Sequence, residues 1–186
     1  MRIISGKYKG KKLIQPVDDL TRPLKDMVKE SIFNLIIHSN KAKIDIEKAE
    51  VLDLFSGSGS FGLECISRGA IKVVFCENYQ PAIKILKKNI KSLNQDKKID
   101  VFDEDIFVKL GNKDFVSKFD LIFLDPPFKE SKIDELLNLI YQSNILKKNG
   151  IVILHRNKKD NILFDKKINI IMEKVYGLSK IYFFKL

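Results

Sequence analysis

From Glu50 onward, short apolar runs alternate with longer stretches whose apolar residues recur at helical spacing. Val51–Phe55, Ile71–Glu77, Ile99–Phe102, Asp120–Leu124 and Ile151–His155 read as strands. Apolar runs without alternation mark strands covered on both faces, as in a parallel sheet. The helices predicted between them run from the glycine turn after Phe55 through about Arg68, from Pro81 to Leu93, briefly before Asp120, and over Ile133–Ser143. Gly69 is placed to end the first of these. In the second, Ile83, Leu86 and Ile90 share one face while Lys84, Lys87, Lys88 and Lys91 take the other, the division of a helix lying on a core. In the tail, Ile168–Val175 and Ser179–Lys185 flank Gly177-Leu178 and read as an antiparallel pair. A β-α repeat closed by a hairpin predicts an α/β fold, a doubly wound, mostly parallel sheet of seven strands.

Ahead of this core, residues 1–16 read as a basic β-hairpin, Arg2 to Tyr8 against Lys11 to Ile14, turning near Lys9-Gly10. Pro23 suits the first turn of a helix running to about Ser39, with Val28, Ile32, Leu35 and Ile36 on one face. Residues 40–48 are charged and read as a loop or short turn. The expected organisation is a single domain, with residues 1–48 as an N-terminal extension and 49–186 as the α/β core.

Composition narrows the partners. A chain of 186 residues can bury a sizeable core. It has no run of apolar residues long enough to cross a membrane and no charged-then-apolar leader, so a cytoplasmic location is expected. Cys65 and Cys76 fit neither a CxxC site nor a disulfide framework and are expected as buried thiols. The net charge of +10 favours an anionic partner such as nucleic acid. That inference is weakened because the only arginines are Arg2, Arg22, Arg68 and Arg156, in a chain rich in Ile and Asn. Lysine enrichment of this kind also follows from low-GC coding.

The densest candidate chemistry is Phe119-Asp-Leu-Ile-Phe-Leu-Asp-Pro-Pro-Phe128. In open α/β sheets ligands bind beyond the carboxyl ends of the strands, which puts Asp125 at the lip of a site. Pro126 and Pro127 fix φ, carry no amide hydrogen, and are expected to leave their carbonyls free as acceptors beside the Phe128 ring. Such a cluster suits the amine of a planar base. The bland alternative is a strand end with a stiffened turn.

A second constellation is Asp53-Leu-Phe-Ser-Gly-Ser-Gly-Ser-Phe-Gly62, with GxGxxG spacing between strand and helix. Glu77 ends the next strand, where a carboxylate can take both hydroxyls of a ribose. These features alone fit a nicotinamide dinucleotide nearly as well as S-adenosylmethionine. Asp53 would repel a pyrophosphate and attract the ammonium of a methionine moiety. Asp105, after the third strand, can accept from an adenine amine, and hydride transfer has no need of Asp125-Pro-Pro. The alternative for Asp53, Glu77 and Asp105 is that all three are ordinary strand-end acids. His38 near a helix end reads as a surface residue favoured by the helix dipole. Cys76 points away from the Glu77 face of its strand. Tyr8, among the hairpin lysines, either stacks on RNA or covers the sheet edge.

The chain resembles the bacterial small-subunit (16S) ribosomal RNA guanine-N2 methyltransferases. The resemblance runs through Arg2-Ile-Ile-Ser-Gly6, Lys9-Gly-Lys-Lys-Leu13, Arg22-Pro23, Glu30-Ser-Ile-Phe-Asn34, Asp53 to Gly59, Gly62-Leu-Glu64, Ser67-Arg-Gly-Ala70, Glu77 and Phe119 to Phe128. It implies a class I, Rossmann-like methyltransferase using S-adenosyl-L-methionine, leaving S-adenosyl-L-homocysteine, with no metal. The implied cofactor residues are Asp53, Phe55, Gly57, Ser58, Gly59, Glu77, Asn78, Asp105 and Ile106. The implied catalytic residues are Asp125, Pro126, Pro127 and Phe128, with Asn34 able to hydrogen-bond near the site. The implied substrate is ribosomal RNA within a small ribosomal subunit or its assembly intermediate; Arg2, Lys9 and Lys11 of the basic hairpin, with Arg22, could bind its phosphates, the alternative being a solvated lysine-rich ribbon. The chain departs from the family's habit at Leu24 (commonly Thr), Lys29 (commonly Arg) and His155 (commonly an acid). On this reading His155 is not needed as a base, because the amine can lose its proton after transfer. Readings outside this family are a DNA amino-methyltransferase, a protein glutamine methyltransferase (which resembles this chain with Asn in place of Asp125), a dinucleotide oxidoreductase and a non-catalytic RNA-binding subunit.

Overall fold

In the computed structural model, residues 1–16, 24–112, 115, 117–127, 129–162 and 164–186 are described. Arg22, Pro23 and Phe128, all named above, lie outside them. The order of elements is α1 (Asp26–His38), β1 (Glu50–Leu54), α2 (Ser60–Ser67), β2 (Lys72–Cys76), α3 (Gln80–Lys91), β3 (Ile99–Phe102), α4 (Ile106–Gly111), β4 (Phe119–Leu124), α5 (Ile133–Ser143), β5 (Leu146–Asn157), β6 (Asn169–Tyr176) and β7 (Ser179–Lys185). They build a seven-stranded sheet in the order β3-β2-β1-β4-β5-β7-β6. The strands from β3 to β5 are parallel, and β7 runs antiparallel to both β5 and β6. The expected α/β architecture is therefore present.

Strand alternation divides the core in two. Val51, Val73, Phe75, Leu121, Phe123, Ile151 and Ile153 pack with α1, α2 and α3 on one face. Leu52, Leu54, Val74, Ile122, Leu124, Val152 and Leu154 pack with α4 and α5 on the other. Covering on both sides is the reason these strands carry unbroken apolar runs. Cys65 and Cys76 are buried free thiols in these layers, and burial pushes Cys76 up to about 12.

Two segments differ from their predicted extents. β5 is longer than Ile151–His155 because Leu146 pairs with Phe119 ahead of it, and Arg156 and Asn157 pair with Lys180 and Ser179 beyond it. Polar residues with ladder partners conceal a strand from hydropathy. The N-terminal hairpin is reduced to a single bridge, Arg2 to Lys12, with the chain turning over residues 5–10. The physical cause lies in α2. Glu64 accepts from Ile4 N at 2.7 Å and Ser5 N at 2.9 Å, while Ser67 accepts from Tyr8 N on its hydroxyl at 2.9 Å and from Lys7 N on its carbonyl at 2.7 Å. The backbone of residues 4–8 is thus held by a helix instead of by the facing strand. Gly6 makes this approach possible: at φ +78° a Cβ would stand 1.9 Å from the Ser67 carbonyl oxygen.

The same carboxylate holds a buried cation. Lys29 and Glu64 are both fully buried, with Nζ 3.7 Å from Oε2, and Lys29 donates to the Arg2 carbonyl at 2.8 Å and Ser60 Oγ at 3.0 Å. Burial lowers the Lys29 ammonium below the ordinary lysine value, and Glu64 opposes that shift. Arg68 donates to Glu64 Oε1 at 2.8 Å and lies over the Phe33 ring. No helix among the described residues is long and apolar enough to cross a membrane.

Removing Glu64 strands a buried ammonium and two backbone amides. Glu64→Ala is expected to lower the unfolding free energy by about 3–5 kcal/mol, the usual cost of breaking a buried ion pair. Denaturant unfolding measures it, and a loss within that of an ordinary surface substitution contradicts the clamp.

Candidate active site

The chain crosses from one side of the sheet to the other between β3 and β4, so the carboxyl ends of β1 and β4 lie side by side at a topological switch point. Leu54 pairs with Leu124, and Asp125 N donates to the Leu54 carbonyl at 3.4 Å. A cavity of about 640 Å³ opens there. Asp53, Phe55, Gly57, Ser58, Glu77, Asn78, Asp105, Ile106, Asp125, Pro126 and Pro127 all line it.

Beyond β1 the backbone turns sharply, with Phe55 at φ 57°, Gly57 at 55° and Gly59 at 83°. A bulky residue held left-handed is costly and tends to occur at functional turns. Gly59 does not line the cavity. It precedes α2 and faces α3, where a Cβ would stand 2.5 Å from Leu86 Cδ1. Its glycine therefore serves packing. A glycine cannot cap α2 with a side chain, and Asp53 does so from the adjoining strand, accepting from Gly62 N at 2.9 Å.

Asp53 is buried, and its carboxyl sits well above the ordinary carboxylate range, chiefly from burial, with Asp125 and Glu77 adding like charge against the Gly62 amide that favours ionisation. Glu77 fastens the turn, accepting from Gly57 N at 2.7 Å and Tyr79 N at 2.9 Å. An ionised carboxylate has about four acceptor sites, so capacity for two hydroxyls remains. Asp105 caps α4 through Phe107 N at 2.8 Å, also with acceptor capacity to spare.

Asp125 is one-fifth exposed, and its Oδ1 lies 2.7 Å from His155 Nδ1. His155 Nε2 lies 2.8 Å from Ser179 Oγ. The expectation that both proline carbonyls stand free is corrected at Pro127, which accepts from Arg156 Nη1 at 2.9 Å and Glu130 N at 2.8 Å. Arg156, buried and within 2.8 Å of Asp160, also donates to the Glu130 carbonyl at 3.1 Å. The loop is held from β5 as well as by its prolines.

Of the described residues expected to contact the substrate, Arg2, Lys9 and Lys11 do not line the cavity. Arg2 pairs with Asp26 at 3.8 Å, Lys9 is exposed, and Lys11 donates to the Ser92 carbonyl at the end of α3. Exposed Lys25 and Lys129 do line it, as do Leu24, His155, Leu178 and Ser179, none of which had been assigned to the site from sequence. His155 and Ser179 carried one available signal: each stands at the end of a predicted strand that the sheet order brings beside Asp125. Asn34 and His38 are exposed on α1.

The chain matches the family model described as conserved hypothetical protein 95 over residues 1–185. It is 32% identical over 179 residues to ribosomal RNA small subunit methyltransferase D of Haemophilus influenzae, covering 96% of this chain and 90% of that protein. With the protein of the same name from Buchnera aphidicola subsp. Baizongia pistaciae, identity is 33% over 184 residues, 98% of this chain and 89% of the relative. Among solved structures, a hypothetical protein of Thermus thermophilus, TTHA0928, superposes with a TM-score of 0.81 at 23% identity, covering 100% of this chain and 99% of that one. That last likeness concerns the fold.

The raised Asp53 carboxyl has a measurable consequence. A group whose folded pKa lies above its unfolded value contributes stability at low pH that is lost as pH rises toward the folded pKa. Without ligand, wild type is therefore expected to lose stability relative to Asp53→Asn as pH climbs above the ordinary carboxylate range, by up to about 1.4 kcal/mol per pH unit within the titration window. Denaturant titrations of both proteins across that range test it, and a stability difference flat with pH contradicts it.

Proposed function

Since the chain belongs to the conserved hypothetical protein 95 family, in which it aligns along its length with the small-subunit ribosomal RNA methyltransferases D, we propose that it methylates the exocyclic N2 amine of a guanine in small-subunit ribosomal RNA from S-adenosyl-L-methionine. The observation that carries this reading is the convergence in one cavity of the glycine turn after β1, Glu77 after β2 and Asp125 after β4. The donor set fits the cofactor. Asp53 would face its ammonium, Glu77 its ribose hydroxyls and Asp105 its adenine amine, with Phe55, Gly57, Ser58, Asn78 and Ile106 as walls. A pyrophosphate would meet the like charge of Glu77 and Asp125, which counts against a dinucleotide. When bound, S-adenosylmethionine supplies a methyl group on a sulfonium, activated for direct transfer.

The guanine amine is a weak nucleophile because its lone pair is delocalised into the ring. Asp125 accepts one of its hydrogens and the Pro126 carbonyl the other, which draws the lone pair out of conjugation and aims it. The carboxylate also offsets the positive charge that develops on nitrogen, so the protein contributes orientation and electrostatics. Phe128, next in the chain, is assigned to stacking on the extruded base, a contact worth roughly 1–3 kcal/mol. Lys25 and Lys129 supply cations at the cavity for phosphates flanking the target, with Arg2 and Lys9 of the N-terminal region further out, and Arg22 is assigned to the same partner. The substrate on this reading is ribosomal RNA in a small-subunit particle or an assembly intermediate.

Tritiated methyl transfer to small-subunit particles lacking the modification, followed by nucleoside mass analysis, tests the proposal. N2-methylguanosine is the expected product, and Asp125→Ala is expected to lower turnover by about two orders of magnitude or more, as for loss of an electrostatic catalytic group. Another methylated nucleoside, or turnover that survives Asp125→Ala, overturns it.

A further inference from the structure

Three strands place three side chains in line. Leu124 pairs with Leu154, so Asp125 and His155 follow as neighbours across β4 and β5. His155 pairs with Ile181 and Asn157 with Ser179, so Ser179 is the diagonal neighbour of His155, on the same face of the sheet. The side chains meet as this register dictates, Asp125 Oδ1 to His155 Nδ1 at 2.7 Å and His155 Nε2 to Ser179 Oγ at 2.8 Å. All three line the cavity, His155 being the one that is buried.

We propose that His155 is a positioning residue that aims the Asp125 carboxylate at the substrate amine, with Ser179 fixing the plane of the imidazole. This rests on the role given to Asp125 above. A strand-end aspartate has two free torsions, and Asp125 shares its cavity with the Glu77 carboxylate, whose like charge repels it. A hydrogen bond from Nδ1 to Oδ1 opposes both effects. It holds the carboxylate in one rotamer against that repulsion and reserves Oδ2 for the incoming amine. Ser179 suits the far nitrogen because a hydroxyl both donates and accepts, so the ring stays anchored in whichever tautomer or charge state the Asp125 bond demands. Arg156 holds the same loop from the next position on β5, through the Pro127 carbonyl. Adjacent residues of one strand therefore fix the side chain and the backbone of the catalytic segment separately.

The two fixings are separable by substitution. His155→Leu keeps comparable bulk and removes both hydrogen bonds. His155→Asn keeps a donor near the Nδ1 position and loses Ser179, and Ser179→Ala leaves the ring in place without its anchor. Steady-state methyl transfer to small-subunit particles, calorimetry with S-adenosylhomocysteine and thermal unfolding are measured on each. His155→Leu is expected to lower kcat by about one to two orders of magnitude, the scale for misplacing a catalytic group, with KM for the particle and affinity for S-adenosylhomocysteine near wild type. His155→Asn is expected to recover most of that loss, and Ser179→Ala to lower kcat by less than His155→Leu. Wild-type kcat in His155→Leu overturns the proposal, as does His155→Asn no better than His155→Leu. Should His155→Leu fail to fold, an unchanged kcat in Ser179→Ala overturns it instead. Asp125→Ala, run alongside, separates the failures. Turnover surviving in Asp125→Ala defeats the assignment of the site, whereas its loss there with His155→Leu unimpaired defeats this inference alone.

Discussion

A parallel sheet covered by helices on both faces can present polar chemistry only at the ends of its strands, and the rest of this structure follows from that constraint. Val51 to Leu54 and Leu121 to Leu124 are buried along their lengths. The one buried carboxylate in β1, Asp53, is there because a helix amide meets it. The crossover that sets β4 beside β1 then delivers Asp125 to the glycine turn across a single strand spacing. Two segments far apart in the chain become one cavity without any loop having to reach.

The acids that line the cavity also hold the scaffold. Asp53 caps α2, Glu77 ties Gly57 to the end of β2, and Asp105 caps α4. Preorganisation of this kind lowers the reorganisation needed when a cation arrives. Glu64 plays the purely structural version of the same part: it is buried, pairs with both Lys29 and Arg68, and captures the backbone of residues 4 and 5. The N-terminal segment is therefore docked on α2 by hydrogen bonds rather than by a long ladder. Ile3 and Leu13 add apolar contacts beneath it.

Much of this was legible in the chain because the signals were local. Unbroken apolar runs identified the parallel strands, and the residues that end them, Asp53 with its glycines, Glu77 and Asp125, marked the site. What stayed hidden depends on register between distant segments. The contact of His155 with Asp125 exists only because β4 and β5 are neighbours in step, and Ser179 joins through an antiparallel pairing that hydropathy leaves open. Lys29 stood out only as a position where the family commonly has Arg, and its burial against Glu64 was not legible there. Pro127 offered a free carbonyl on paper, and a buried arginine from β5 had taken it. Gly59 is required by its left-handed backbone and by the close approach of Leu86, a packing demand that its place in the glycine spacing did not show.

The central claim is that the methyl donor lies along the ends of β1 and β2 with its sulfur turned toward Asp125. A crystal structure of the protein with S-adenosylhomocysteine tests it most directly. The ribose hydroxyls are expected on the Glu77 carboxylate, the amino group beside Asp53, and the sulfur facing Asp125 across the open part of the cavity. A ligand whose ribose makes no contact with Glu77, or whose sulfur is walled off from Asp125, would contradict it.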